Sequence, residues 1–290
     1  MPERSVLADL RNEYHRKICL NLLGHRQGSD VFSVADSSSK TSITLAAGIA
    51  ARLGHPICTD PKSGQTAGSL FGQFTLEYLE AAFRRMQHLR PGEWAFSATQ
   101  TSPGIAAFDQ YEHLADLSRL LEDNKKLSAA LGGDYLITPD IVVARCSVTD
   151  DEINAGTRLI ESNENIARHT SLRTANFDAP RAILHASISC KWTMRSDRAQ
   201  NTRTEALNLI RNRKGQVPHI VAVTFEPMPT RLASIAMGTG DVDCTYHAAL
   251  YELQGAVEQS ENSDQAEMLD TLISGRRLRD ISDLPFDLAI

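Results

Sequence analysis

No run of eighteen apolar residues occurs in the 290-residue chain, so no segment suits a membrane-spanning helix. The opening residues, MPERSVLADLRNEYHRK, mix charges of both signs and carry no apolar stretch of the kind a secretory leader needs. Cysteine is sparse and unpaired. Cys19, Cys58, Cys146, Cys190 and Cys244 are scattered, odd in number, and form no CxxC pair. That pattern speaks against a disulfide framework or a structural zinc and for a reducing compartment, so a cytoplasmic protein is expected. The nine histidines show no metal-ligand spacing, and His185 and His247 read as hydrogen-bonded structural residues. Gly238-Thr239-Gly240 lacks the following lysine of a phosphate loop. There is no internal repeat, low-complexity tract or clear linker. Residues 1–290 therefore read as a single domain.

Net positive charge is also missing. The formal balance is −6, which alone argues against a polyanion partner. The distribution changes that reading. Lys191 to Lys214 holds seven basic and two acidic residues, whereas Tyr251 to Ile290 holds three basic and nine acidic. A basic stretch with an acidic tail elsewhere is compatible with phosphate binding, although a solvated charged helix would look the same.

Hydrophobic periodicity supplies the elements. Residues 3–23 place Val6, Leu10, Tyr14, Ile18 and Leu22 on one helical side. Gly24 to Lys40 is polar and reads as a linker or cap. Thr41 or Ser42 is placed to cap a short helix through Arg52. The loop Lys62 to Gly68 leads into an amphipathic helix over Leu70–Leu89, closed by Pro91-Gly92, with Phe71, Phe74, Tyr78 and Phe83 as core. Glu93–Thr99 is expected as a strand, and 106–131 as one or two helices ending at Gly132-Gly133. Tyr135–Ala144 is β-rich but interrupted by Pro139-Asp140, which suits an edge or a kink. Strands are expected over Ala182–Thr193, Val217–Phe225 and Leu232–Met237. Helices are expected over Arg203–Asn212 and, capped by Thr239 or Asp241, over Cys244–Gln259. The class this predicts is α/β, a mixed central β-sheet flanked by helices.

The most informative stretch is His185 to Glu205. Ser187, Ser189 and Lys191 alternate with Ile188, Cys190 and Trp192, as in a strand, and a helix start follows from about Asn201. Asp140, Ser189, Lys191 and Glu205 together suit phosphodiester hydrolysis. The reaction needs a metal to polarise the phosphate and a cation near the developing charge. A carboxylate at a strand kink and a lysine on another strand supply both, which is the logic of the PD-(D/E)xK nucleases. Pro139-Asp140 would be the first half of that motif and Ser189-Cys190-Lys191 the second. Ser189 stands where an acid is usual, and Glu205 can replace it if its helix folds back on the strand. Taken alone, the pattern is weak, because a turn aspartate and a surface lysine are common. Arg195, Asp197 and Arg198 add weight. Two guanidinium forks and one carboxylate match the two guanines and two cytosine amines of a C·G, C·G half-site. A capped helix start with solvated arginines is the plainer alternative.

Longer matches resolve the choice. HASISCKW and RSDRAQN (His185–Asn201), ITPDI (Ile137–Ile141), NRKG (Asn212–Gly215), GQTAG (Gly64–Gly68) and DISDLP (Asp280–Pro285) closely resemble the NgoMIV restriction-endonuclease family, along nearly the whole chain. That family belongs to the CCGG group of type II enzymes, within the PD-(D/E)xK superfamily. The resemblance implies a restriction-endonuclease-like core, Mg²⁺ as cofactor, double-stranded DNA as substrate, and a homotetramer acting on two sites. It implies recognition of GCCGGC with cleavage after the first G, and a cognate DNA methyltransferase in the same host. It further implies Asp140 as a metal-binding carboxylate, the main-chain carbonyl of Cys190 as a second metal ligand, Lys191 as the catalytic lysine beside Ser189, and Glu205 as the displaced glutamate. Arg195, Asp197 and Arg198 would read CCGG. Asp36, with Ser38 beside it, and Arg231 would read the outer pair, and Gln65 would enter the minor groove. One position departs: the family's glutamate after the residue matching Phe71 is Gly72 here, and Glu77 is too far along the helix to replace it. Three functions are thus to be separated: a site-specific endonuclease, a sequence-specific DNA-binding protein with weakened or lost cleavage, and a structure-selective repair nuclease.

Overall fold

A computed structural model describes residues 4–98, 104–122, 124–126, 137–238 and 240–290. Thr99, the Gly132-Gly133 helix end, Tyr135, Leu136 and the Thr239 cap lie outside the described residues. The chain forms a six-stranded sheet in the order β1-β2-β3-β4-β5-β6, with helices flanking it. The strands are β1 (Trp94–Ala98), β2 (Ile141–Arg145), β3 (Ile183–Lys191), β4 (His219–Thr224), β5 (Cys244–His247) and β6 (Leu278–Asp280). The expected α/β class with a mixed central sheet is what the chain adopts. The chain divides into two compact units, Pro91–Ser187 with Leu207–Pro218, and Met1–Arg90 with Ile188–Ala206 and His219–Ile290.

In the unit built around Pro91–Ser187, β1 pairs antiparallel with β2, Trp94 opposite Arg145 and Ala98 opposite Ile141. β2 is buried along Ile141–Ala144, so both its faces are covered and it reads as an unbroken apolar run. It starts directly after Pro139-Asp140, because proline withholds a ladder donor. The β1 end is therefore as expected, whereas β2 begins after the kink and does not run through it. Within 106–131 the described residues fold as two 3₁₀ turns and α4 (Glu112–Glu122). Gln110 holds the first part of β3: its side chain donates to the Leu184 carbonyl at 2.8 Å and accepts from the Leu184 N–H at 2.9 Å. Arg173 is buried and forks onto Asp150 of α5 (Asp150–Ile153), with both bonds at 2.6 Å. His185 packs edge-on to Trp94 and plays the structural part expected of it.

In the other unit β4, β5 and β6 run parallel. β4 is the buried apolar run expected near Val217–Phe225. α1 (Val6–Asn21) is capped by Ser5 and buries Tyr14 and Ile18, while Val6 stays exposed. α2 (Lys40–Leu53) is capped by Ser39, which accepts from the Ser42 N–H at 3.2 Å, so the cap lies two or three residues before the expected one. α3 runs Gly64–Arg85, one to two turns earlier than expected, and ends before the closing proline. α2 packs on α8 (Leu250–Ser260) through Gly48, where a Cβ would stand 2.7 Å from that of Ala256; only glycine allows that approach.

Three expectations are corrected. Leu232–Met237 is not a strand; it lies in α7 (Pro229–Ala236), with proline at the first turn, where its fixed φ and missing N–H suit a helix start. Cys244–Gln259 is not one helix. Its first four residues are β5, buried on both faces, and α8 begins only at Leu250. The helix expected from Arg203 is α6 (Ser196–Asn212), two turns longer at its start. α9 (Ser263–Ser274) and α10 (Leu284–Asp287) complete the chain around β6.

Candidate functional site

β3 ends at Lys191, and the chain turns at once into α6. The turn is anchored from below by apolar packing. Trp192 is buried, with its ring 5.5 Å from Phe71 of α3 and 4.8 Å from Phe225, which in turn stacks near His247. Such aromatic contacts fix the strand end to about 0.5–1.5 kcal/mol per pair beyond burial. The main chain is anchored by Glu226, whose carboxylate accepts the Met194 N–H at 2.8 Å. Met194 and Glu226 are both fully buried.

The Ala199 N–H donates to the Arg195 carbonyl at 3.0 Å, so Arg195 is the first capping position of α6. Asp197 lies in the first helical turn, where the unpaired N–H groups favour a carboxylate. Arg195 and Asp197 are exposed, while Arg198 is half-buried and its Nη1 donates to both the carbonyl (3.0 Å) and the hydroxyl (2.8 Å) of Thr193. The helix therefore presents these three residues from its N-terminal turn, not from a loop ahead of it.

Ser189 Oγ lies 3.1 Å from Thr202 Oγ1, both buried. This bond folds α6 back on β3, which is what a displaced acid requires. Glu205 stands one turn beyond Thr202 on the same helix and is half-buried. Ser189 is thus a tether between strand and helix. The other face of β3 meets α3: a Cβ added at Gly72 would stand 3.8 Å from Cys190 Cβ, an ordinary contact. The missing side chain therefore leaves a position directed at the residue whose carbonyl is the expected metal ligand. Glu77 is turned elsewhere, paired with Lys17 at 2.7 Å and Gln73 at 3.0 Å.

Asp140 belongs to the other compact unit, half-buried at the bend that opens β2. Among the described residues no three His, Cys, Asp or Glu side chains converge on one point. In the unit that holds the end of β3, the Cys190 carbonyl and the Glu205 carboxylate are hard oxygen donors, the type of ligand a divalent ion such as those of nucleases takes alongside several waters.

The second constellation lies in one pocket of about 360 Å³, lined by Asp36, Met194, Arg195, Thr230, Arg231 and Ser234. Asp36 and Arg231 are 195 positions apart in sequence, yet they form a direct ion pair. Ser38 donates to Asp36 from its hydroxyl at 2.7 Å and from its N–H at 3.0 Å. The Ser38 hydroxyl, then Arg231, hold the Asp36 carboxyl well below the usual carboxylate range. Asp36 is thus ionised at neutral pH and can only accept, as a cytosine amine requires. The loop Gly24 to Lys40 is consequently no linker, since it carries Asp36 into this pocket with Ser38 bonded to it. Gln65 is exposed in the first turn of α3 rather than in a loop.

Glu226 was not singled out by its sequence. It closes the apolar run of β4 before Pro227, a place that reads as a strand end. The signal that was there is a glutamate continuous with a buried strand, which requires a buried partner.

Known proteins supply a comparison. Residues 14–290 match the model of a family described as NgoMIV restriction enzyme. The type II restriction enzyme NgoMIV of Neisseria gonorrhoeae is 46% identical over 282 residues, covering 97% of either chain. Among solved structures, a chain of a complex between restriction endonuclease PspGI and substrate DNA aligns at a TM-score of 0.30 and 11% identity, over 97% of this chain and 91% of that one.

Proposed function

This chain belongs to the NgoMIV restriction enzyme family and is a type II restriction enzyme that cleaves DNA at specific sites, and from that premise we propose that it recognises GCCGGC and cuts after the first G with Mg²⁺. The observation that carries the specificity is the pocket in which Asp36 and Arg231 meet Arg195. One carboxylate acceptor and one guanidinium fork are the complement of a C·G pair in the major groove. Arg195, Asp197 and Arg198, presented by the first turn of α6, read the inner CCGG. Gln65 reads the minor groove, where the guanine amine is the distinctive donor.

The family implies a divalent metal generally. When bound, the ion polarises the scissile phosphate and lowers the pKa of the attacking water. By resemblance to the family, Asp140 and the Cys190 carbonyl would hold it. Lys191 places an ammonium beside the charge that develops on the phosphate. Ser189 fixes α6 to β3, and Glu205 on that helix supplies the acid that the strand lacks. The chain is taken as one domain, since the family match runs over residues 14–290. The enzyme works in the cytoplasm as a homotetramer on two sites, with a cytosine methyltransferase protecting host DNA. No helix among the described residues is long and apolar enough to cross a membrane.

Duplexes test the specificity. GCCGGC should be cut far faster than CCCGGG, which differs only in its outer pairs; equal rates would remove the outer-pair assignment of Asp36 and Arg231.

Gly72 motivates a second reading, that of a specific binder with weakened cleavage. Its open position against Cys190 leaves the catalytic centre one carboxylate short. Gly72→Glu is expected to raise the cleavage rate at limiting Mg²⁺ and to lower the Mg²⁺ concentration for half-maximal rate. An unchanged Mg²⁺ curve in single-turnover assays would show that the position is dispensable here.

A further inference from the structure

Glu226 is a fully buried acid, 0% exposed, two residues beyond the end of β4. Its two oxygens are divided between two parts of the recognition pocket. One accepts the Met194 N–H at 2.8 Å, directly before Arg195. The other lies 3.3 Å from the Met228 N–H, which opens α7, and 3.8 Å from the guanidinium of Arg231 on that helix. Arg231 in turn pairs with Asp36, and Asp36 with Ser38. A single carboxylate therefore connects the backbone under the inner-base reader to the side chain of the outer-base reader.

The geometry points to Glu226 as a positioning residue for base recognition, fixing Arg195 and Arg231 in one register so that the inner CCGG and the outer pair are read together. This rests on the recognition roles proposed above. Glu226 does not reach the bases, and it acts through the two arginines. An apolar residue of similar volume would fill the same space without desolvating an acid, so holding the two arginines together accounts for the carboxylate here.

Burial raises the Glu226 carboxyl to about 7, with the Met194 N–H, Arg231 and the Met228 N–H opposing and Asp36 adding to the rise. The other titratable group against it is His247 of β5, whose Nε2 is 3.1 Å from the Glu226 carbonyl; burial lowers its pKa to about 4, so it is neutral at working pH. Because the folded value is raised, the folded state takes up a proton between the ordinary glutamate range and about pH 7. The stability contributed by that proton is present at low pH and lost as pH rises through 7. The ionised form is thus the less stable form of the protein and the better partner for Arg231. Discrimination should therefore grow as pH rises from 6 to 8.

The test is the ratio of single-turnover cleavage rates on GCCGGC and CCCGGG duplexes from pH 6 to 8, for the unaltered enzyme and for Glu226→Gln, with Arg231→Ala as reference. Gln keeps the shape but offers one acceptor where two are used. The expected result is a ratio that rises through about pH 7 in the unaltered enzyme. In Glu226→Gln it should be at least about tenfold lower at pH 8 and flat with pH. A Glu226→Gln ratio and profile matching the unaltered enzyme would overturn the proposal. If that variant does not fold, a flat profile in the unaltered enzyme overturns it alone, and a rise centred near 7 supports it. A ratio left intact by Arg231→Ala would instead remove the outer-base reading beneath it.

Discussion

Lys191→Ala should abolish cleavage of a GCCGGC duplex while leaving specific binding in place. The lysine closes β3, half-buried and held by the Trp192 packing beneath it. In the proposed role its ammonium supplies positive charge where the phosphate gains negative charge, and losing one such group costs on the order of 10²–10³ in rate. The proposed base contacts lie on α6, α7 and the loop around Asp36, so they are expected to survive the change. Gel shifts in Ca²⁺ and single-turnover cleavage in Mg²⁺ separate the two effects. If the variant binds poorly and cuts normally once bound, Lys191 is a phosphate-positioning residue and its catalytic assignment is wrong.

Arg195→Ala should do the converse. Arg195 caps α6, exposed at the mouth of the pocket, and its backbone is held from below through Met194 and Glu226. Removing its fork should cost roughly 1–3 kcal/mol per guanine contact, a loss of about five- to 150-fold in affinity for the cognate duplex. Binding to unrelated duplexes should change far less, since one cation contributes little to phosphate attraction. An equal loss on cognate and unrelated DNA would mean that Arg195 touches phosphate and not base.

These two variants separate catalysis from recognition along a stretch five residues long. That stretch was legible because its alternation marks a strand and its basic cluster departs from an acidic chain. The buried β4 run was legible from its β-branched apolar residues, closed by Glu226-Pro227. Shorter elements were not. Leu232–Met237 is an apolar run of a length that suits either strand or helix, and only the proline three positions earlier marks the helix. β5 is four residues long and covered on both faces, so it has no alternation to read. The start of α6 was missed because Arg195 to Arg198 reads as a polar turn; its helical state is set by the Arg195–Ala199 bond.

The pairings within the site were hidden for a different reason. Residue types at Asp36, Arg231 and Arg195 are visible in the chain, and resemblance to the family gave them roles. Their convergence is a tertiary fact. Glu226 meets Met194 across 32 positions, and Gly72 meets Cys190 across the packing of α3 on β3. No periodicity encodes either contact. Gly72 stands where the family resemblance implies a carboxylate, and a Cβ built there would lie 3.8 Å from Cys190 Cβ.

Digestion of a plasmid of known sequence checks cleavage at a defined site. Incubated with the full-length protein and Mg²⁺, the plasmid should yield discrete fragments whose ends map to GCCGGC, each cut after the first G. DNA that is retarded on a gel but intact, or cut only at junctions and flaps, would contradict it.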